Sequence, residues 1–144
     1  MTSDIIVIPV FLVDRQGKAT SDFINSCPCV RLTLRNAPDT KHEVALGMID
    51  TGASGAYVDT QLVEKLGAPV LRPETVHGAT SIIQTTLHSG IFEIENVKPL
   101  SLEYSATPLR ATGRSYDVVL GRSVISLFKL EIDRGRIILT LPQD

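Results

Sequence analysis

The sequence has no tryptophan, two cysteines, two methionines and no apolar run long enough to cross a bilayer. The longest apolar stretch near its start, Ile5 to Val13, is nine residues and contains Pro9, against roughly 20 residues for a membrane helix. Met1-Thr2-Ser3-Asp4 lacks the basic residues that open a secretory signal. No membrane partner is therefore expected. An excess of one charge is missing as well: 14 Lys and Arg stand against 16 Asp and Glu, a net charge of −2. Nucleic-acid binding needs clustered cations, so no nucleic-acid partner is expected either. Cys27 and Cys29 are separated by Pro28 alone, and a bridge between them would close a tiny, strained loop. With no Cys or His nearby, they do not make up a structural zinc set. They read as free thiols in a reducing compartment, and a cytoplasmic location is the expectation.

Helical periodicity, internal repeats and low-complexity tracts are also missing. What is present points to extended structure. Ile, Val and Thr supply 39 of the 144 residues, a bias toward strands. The composition is 43% hydrophobic and 21% charged, which excludes global disorder. One mostly β domain over residues 1–144 is the expectation.

Along the chain, Asp4 to Val13 reads as a strand, Asp14-Arg15-Gln16-Gly17 as a turn, and 18–28 as irregular. Val30, Leu32 and Leu34 alternate with Arg31, Thr33 and Arg35, the pattern of a half-buried strand whose arginines face solvent. His42 to Ile49 returns as a second strand and runs into Asp50-Thr51-Gly52-Ala53-Ser54-Gly55, a tight loop. Thr60 to Leu66 predicts a helix, capped by Asp59 or Thr60, with a stripe of Leu62, Val63 and Leu66 and a terminal Gly67. Val70 to Val97 predicts a long hairpin with a polar tip at His77-Gly78-Ala79-Thr80-Ser81. A strand is expected at 98–102 and a loop from Ala106 to Ser115. Val118-Val119-Leu120 predicts a short buried strand, Ser123 to Phe128 a short helix, and Lys129 to Leu141 a hairpin turning at Asp133-Arg134-Gly135.

An aspartate directly after a buried apolar strand, followed by Thr and Gly, is an unusual place for a carboxylate. Val118-Val119-Leu120-Gly121-Arg122 repeats the pattern of an apolar strand and then glycine. Taken with the helix ending at Gly67 and the hairpin with Gly78 near its tip, the sequence resembles the retropepsins, the retroviral-type aspartic proteases and their cellular and bacterial relatives. The resemblance covers roughly Val30 to Leu141. It implies an all-β fold, a closed retropepsin-like β-barrel protomer with one or two short helices. It implies that Asp50 is the catalytic aspartate and that the Thr51 hydroxyl locks two active-site loops across a dimer. By the same resemblance, the Gly52 carbonyl faces bound substrate, with Ala53 and Ser54 beside it, and Gly121 lies beneath the active-site loop. His77, Gly78 and Ala79 would belong to a flap closing over a polypeptide substrate. Two departures are visible. The position of Ser54 is usually acidic in the retroviral enzymes and pairs with the arginine matching Arg122. The hairpin tip has a single glycine.

Peptide hydrolysis of this kind needs one carboxylate as base and a second, protonated carboxyl to polarise the scissile carbonyl. The chain has one Asp-Thr-Gly; Asp39-Thr40 is followed by Lys41 and Asp59-Thr60 by Gln61. The second half must come from another copy, and a two-fold homodimer is its simplest source. Water serves as nucleophile, and neither metal nor organic cofactor is expected. A serine hydrolase fits poorly, because Gly52-Ala53-Ser54-Gly55 is not a Gly-x-Ser-x-Gly elbow. His42, His77 and His88 lack metal-ligand spacing and read as surface residues. The expected activity is that of an aspartic endopeptidase, a peptide hydrolase. The alternative is a catalytically silent dimerisation or peptide-binding module of the same fold.

Overall fold

The computed structural model describes residues 5–142. Eleven strands and two short helices follow one another as β1 (Ile5–Ile8), β2 (Phe11–Val13), β3 (Cys27–Arg35), β4 (His42–Ile49), β5 (Ala56–Asp59), α1 (Thr60–Leu66), β6 (Arg72–His77), β7 (Ile82–Ile94), β8 (Leu100–Thr107), β9 (Val118–Leu120), α2 (Arg122–Ile125), β10 (Lys129–Asp133) and β11 (Arg136–Pro142). A single 3₁₀ turn, Arg110–Thr112, interrupts the connection between β8 and β9.

The large sheet runs β2-β3-β4-β9-β5-β8-β7-β6, and β3 pairs with β7 as well. Leu32–Arg35 therefore has β4 on one side and β7 on the other. The path β3-β4-β9-β5-β8-β7 returns to β3 as a nearly closed ring. Closure of this kind removes sheet edges and wraps one apolar interior. The 13 residues of β7 make it possible. The first half of β7 pairs with β6 in the long hairpin, and its second half closes on β3. A smaller sheet, β1-β11-β10, joins the two ends of the described chain.

The alternation expected in β3 holds: Val30, Leu32 and Leu34 are buried in the interior, while Arg31 lies over the Phe11 ring at 4.7 Å and Arg35 pairs with Glu93 at 2.6 Å. Helix α1 covers exactly the expected span, and Leu62, Val63 and Leu66 are its buried face. It ends at Gly67, whose φ of +60° suits glycine.

Several local expectations are corrected. The first expected strand is two strands in different sheets, because Pro9 cannot continue a ladder; its Asp4 lies outside the described residues. Cys27 and Pro28 belong to β3 rather than to irregular chain, with Pro28 opposite Leu12 of the short β2. The strand expected at 98–102 starts at Leu100 and runs on to Thr107, held by both β7 and β5. The second helix is Arg122–Ile125, shorter than expected and beginning one residue earlier.

His88 is the largest of these corrections. It is not a surface residue but buried, stacked on Tyr104 with ring centroids 5.5 Å apart. Its Nδ1 lies 2.9 Å from the Pro69 carbonyl oxygen and its Nε2 2.8 Å from the Thr86 hydroxyl. A carbonyl only accepts, so Nδ1 carries the proton and the hydroxyl donates to Nε2. Both ring nitrogens are thus satisfied, and the imidazole behaves as a core side chain. Tyr104 is not satisfied in the same way. Its ring packs against His88 and edge-on against Phe92, but its buried hydroxyl has no hydrogen-bond partner among the described residues. Burial pushes that phenol up to about 12. An unpaired buried hydroxyl costs about 1–3 kcal/mol, and each kcal/mol is worth about 2–4 °C in a chain near this size, so Tyr104→Phe should keep the ring packing and raise the melting temperature by about 2–12 °C. Calorimetry on the two proteins tests this; a lower melting temperature for the variant would show that the hydroxyl has a partner.

Candidate active site

Strand β4 delivers Asp50 to the surface at the end of a buried run. Gly47, Met48 and Ile49 pair in parallel with Val118, Val119 and Leu120 of β9, and the Asp50 backbone N–H donates to the Leu120 carbonyl at 3.0 Å. The chain then turns: Ala53 N–H donates to the Asp50 carbonyl at 3.2 Å. Inside that turn the Gly52 N–H donates to Asp50 Oδ1 at 2.9 Å, which fixes one carboxylate oxygen. No described residue donates to Oδ2. Asp50 is half-buried, and Thr51, Gly52 and Ser54 are exposed. The result is an oriented carboxylate on an open loop, with one oxygen held and the other turned to the surroundings.

Residues 121–123 run underneath this loop and take up its carbonyls. Gly121 N–H donates to Gly55 O at 3.0 Å, Arg122 N–H to Ala53 O at 2.8 Å, and Ser123 N–H to Ser54 O at 3.0 Å. The approach leaves no room for a side chain at position 121. A Cβ there would stand 2.7 Å from the Ala53 carbonyl oxygen and closer still to that of Gly55. Glycine is required by contact, since the backbone at 121 is ordinary extended chain.

The departure at Ser54 also finds its explanation. Arg122 has no carboxylate at that position, and its guanidinium instead donates to the Thr51 carbonyl oxygen at 2.8 Å. The cation braces the middle of the Asp50-Thr51-Gly52 turn from below. Nothing in the sequence pattern signals this, because a backbone acceptor has no residue type.

The structure thus brings Asp50, Thr51, Gly52, Ala53, Ser54 and Gly121 into one loop assembly. His77, Gly78 and Ala79 are exposed at the tip of the β6–β7 hairpin. The tip is closed by a Gly78 N–H bond to the Ser81 carbonyl at 2.7 Å, and none of the hydrogen bonds among the described residues ties it to the Asp50 loop. Among the described residues no group of three or more His, Cys, Asp and Glu side chains could hold a metal ion, and no helix is long and apolar enough to cross a membrane.

Three further residues take places here that the sequence did not assign to them. Tyr116 and Cys29 belong to a second apolar cluster with Val119, against which Ala53 packs. Burial pushes the Tyr116 phenol up; the Arg114 charge opposes this, and the Cys27 and Asp50 charges add to it. Asp59 stands at the start of α1 but its side chain does not cap the helix. It is buried, and its Oδ1 accepts from Leu109 N–H at 2.8 Å and Arg110 N–H at 3.1 Å.

The chain is similar in structure to a retropepsin-like aspartic protease from Rickettsia conorii, at 17% identity over 100% of this chain and 98% of that one, with a TM-score of 0.62. It is also similar to a foamy viral protease–reverse transcriptase, at 13% identity over 74% of this chain and 13% of that one, with a TM-score of 0.52. A simian foamy virus protease matches at 12% identity over 68% of this chain and 91% of that one, with a TM-score of 0.48. No protein-family model and no curated protein matches the sequence. The retropepsin-like resemblance read from the sequence is therefore met in the fold, and the all-β, ring-closed protomer has the retropepsin-like architecture.

Two outcomes follow from this geometry. Gly121→Ala should lower the melting temperature sharply, by about 6 °C or more, since overpacking against backbone costs about 3 kcal/mol or more. Gly78→Ala, whose Cβ would meet nothing nearer than 3.4 Å, is the control and should melt close to wild type. Equal melting of all three proteins would contradict the crossing. The second outcome concerns thiols. Cys29 is fully buried, and burial pushes its thiol up to about 12. The raised value disfavours the reactive thiolate, and burial shields the sulfur from reagents. Maleimide at pH 8 should label Cys27 and leave Cys29 unmodified until the protein unfolds, as read by peptide mass spectrometry.

Proposed function

We propose that the chain is an aspartic endopeptidase that works as a homodimer and hydrolyses peptide bonds in polypeptide substrates. The observation that carries this reading is the Asp50 loop: a carboxylate held through one oxygen by Gly52 N–H, at the end of a buried strand, on a turn braced from below by 121–123. One such carboxylate does half of the chemistry. In the dimer, Asp50 and Asp50 of the partner subunit come to roughly 3 Å, where two carboxyls cannot both ionise and share one proton. The ionised member takes a proton from water as it attacks the scissile carbonyl, and the protonated member hydrogen-bonds the carbonyl oxygen. Thr51 joins the two loops, Gly52, Ala53 and Ser54 border the substrate backbone, and the hairpin tip with His77, Gly78 and Ala79 closes as a flap. Residues 1–144 act as one domain, and the free thiols suit a cytoplasmic location.

The rival reading is a silent binding module of the same fold. It does not require a carboxylate oriented as Asp50 is, and an isosteric amide separates the two. Asp50→Asn should leave folding and dimerisation intact and abolish cleavage of a mixed peptide library; cleavage at the wild-type rate in a clean preparation would sink the assignment. Specific activity should also fall on dilution below the dimer dissociation constant, and sedimentation of the same samples fixes where that lies. Full specific activity in monomeric samples would refute the shared dyad.

A further inference from the structure

A recess of about 320 Å³ is lined by the turn 36–38, by residues 89–91 of β7 and by residues 101–103 of β8. None of these belongs to the Asp50 loop or to the tip of the β6–β7 hairpin. The recess has a topological cause. Strand β7 pairs with β6 as far as Leu87 and with β3 only from Ile91 onward. Between those points, residues 88–90 have β8 on one side and no strand among the described residues on the other. The recess lies where β7 exchanges partners. Gly90 lets the end of β3 come down on it, since a Cβ there would stand 3.0 Å from the Arg35 carbonyl oxygen.

Glu103 is the only charged side chain in the lining. It is exposed, stands opposite Ser89 in the β7–β8 register, and forms no ion pair among the described residues. The cations flanking the turn are engaged elsewhere: Arg35 Nε pairs with Glu93 at 2.6 Å, and Lys41 Nζ donates to the Lys65 carbonyl. Asn36 adds an acceptor. Its Nδ2 donates to the Leu66 carbonyl at 2.7 Å, while its buried Oδ1 has no donor among the described residues. The Ser89 and Ser101 hydroxyls can accept as well. Ala37, Pro38 and Ile91 supply a short apolar surface beside these groups. One uncompensated carboxylate, several acceptors and a strip of apolar surface are the complement of a single cation on an aliphatic stem. The volume is at the low end of the roughly 300–1,000 Å³ of ligand sites, which suits one side chain. Pro38, Ser89, Ser101 and Glu103 are exposed at the rim, so whatever bears that side chain stays outside.

We propose that this recess binds a basic side chain, Lys or Arg, of a polypeptide, as a docking site separate from the Asp50 loop. The stem lies along Ala37, Pro38 and Ile91, and the charged end meets Glu103. The site stands whether or not Asp50 cleaves peptides. Residues 89–91 belong to the strand whose first half forms the β6–β7 hairpin, so occupancy is read in the backbone amides of that strand.

The test is a titration of isotope-labelled protein, followed by its amide resonances, with four probes: the blocked tripeptides acetyl-Ala-Arg-Ala-amide, acetyl-Ala-Lys-Ala-amide and acetyl-Ala-Gln-Ala-amide, and butylamine. The Arg and Lys peptides should shift the amides of 36, 37, 89–91 and 101–103 to saturation, and the Gln peptide should leave them in place. Glu103→Gln, a surface change that keeps the fold, should weaken both basic peptides about 5-fold. Asp50→Asn should bind them as wild type does, which separates this site from the Asp50 loop. Shifts absent from the recess, or centred on residues 50–55, overturn the inference. Equal affinity in Glu103→Gln, or equal binding of the Gln peptide, overturns it as well. Butylamine binding as tightly as the peptides would assign the recess to free amines and overturn the polypeptide assignment. Cleavage plays no part in the readout, so a failure here and a failure of the endopeptidase reading are told apart.

Discussion

The close passage of residues 121–123 beneath the loop 53–55 is the contact on which the rest of the site depends. Three backbone hydrogen bonds join the two segments, and they form only because position 121 has no side chain. Backbone groups that leave water must find partners, and here the loop carbonyls find them in a segment far along the chain. The turn that carries Asp50 is rigid because its underside is fully engaged. The Arg122 guanidinium extends the same logic to the Thr51 carbonyl, so one short segment supplies both the clearance and the brace.

The ring explains how two distant segments come to cross. Strands β4 and β9 lie in parallel, and each ends at the same level before turning into the loop or into α2. Two parallel strands ending together deliver Asp50 and Gly121 to one place. Strand β5 then follows β9 in the opposite direction and carries the chain from the loop back into the core. The interior packing of Val58, Val118, Leu120 and Val124 fixes these strands against one another, and close-packed interiors transmit such constraints with little slack. The site is precise because the core beneath it is.

The polar network around Asp59, Arg110 and Asp117 works on a different principle. It ties segment 109–117, whose Leu109 and Tyr116 lie in the second apolar cluster, to β4 and the start of α1, which face the main interior, using carboxylates as two-sided acceptors. Asp117 reaches β4, the 3₁₀ turn and the start of α1 from one residue. A segment without regular structure is thereby held in one arrangement.

Much of this was legible in the residues. The alternation in Val30–Leu34, the helix bounded by Asp59 and Gly67, the apolar run into Asp50 and the glycine after Val118–Leu120 each reflect a local requirement: a two-residue pleat, a capped turn, burial on both faces, a close approach. Local requirements leave local patterns. Other features left none. His88 looks like any polar residue in a strand until the Pro69 carbonyl and the Thr86 hydroxyl are placed around it. Asp59 reads as a helix cap, yet its oxygen is claimed by a segment 50 residues away. Arg122 lacks its expected acidic partner and binds a carbonyl instead. The sequence by itself determined the alternation of β3, the span of α1 and the positions of Asp50 and Gly121, because these follow from near neighbours in the chain. The partners of His88, Asp59, Asp117 and Arg122 were decided only by tertiary structure, because each is bound to at least one backbone group distant in the chain, and every residue carries such groups and no sequence pattern marks them.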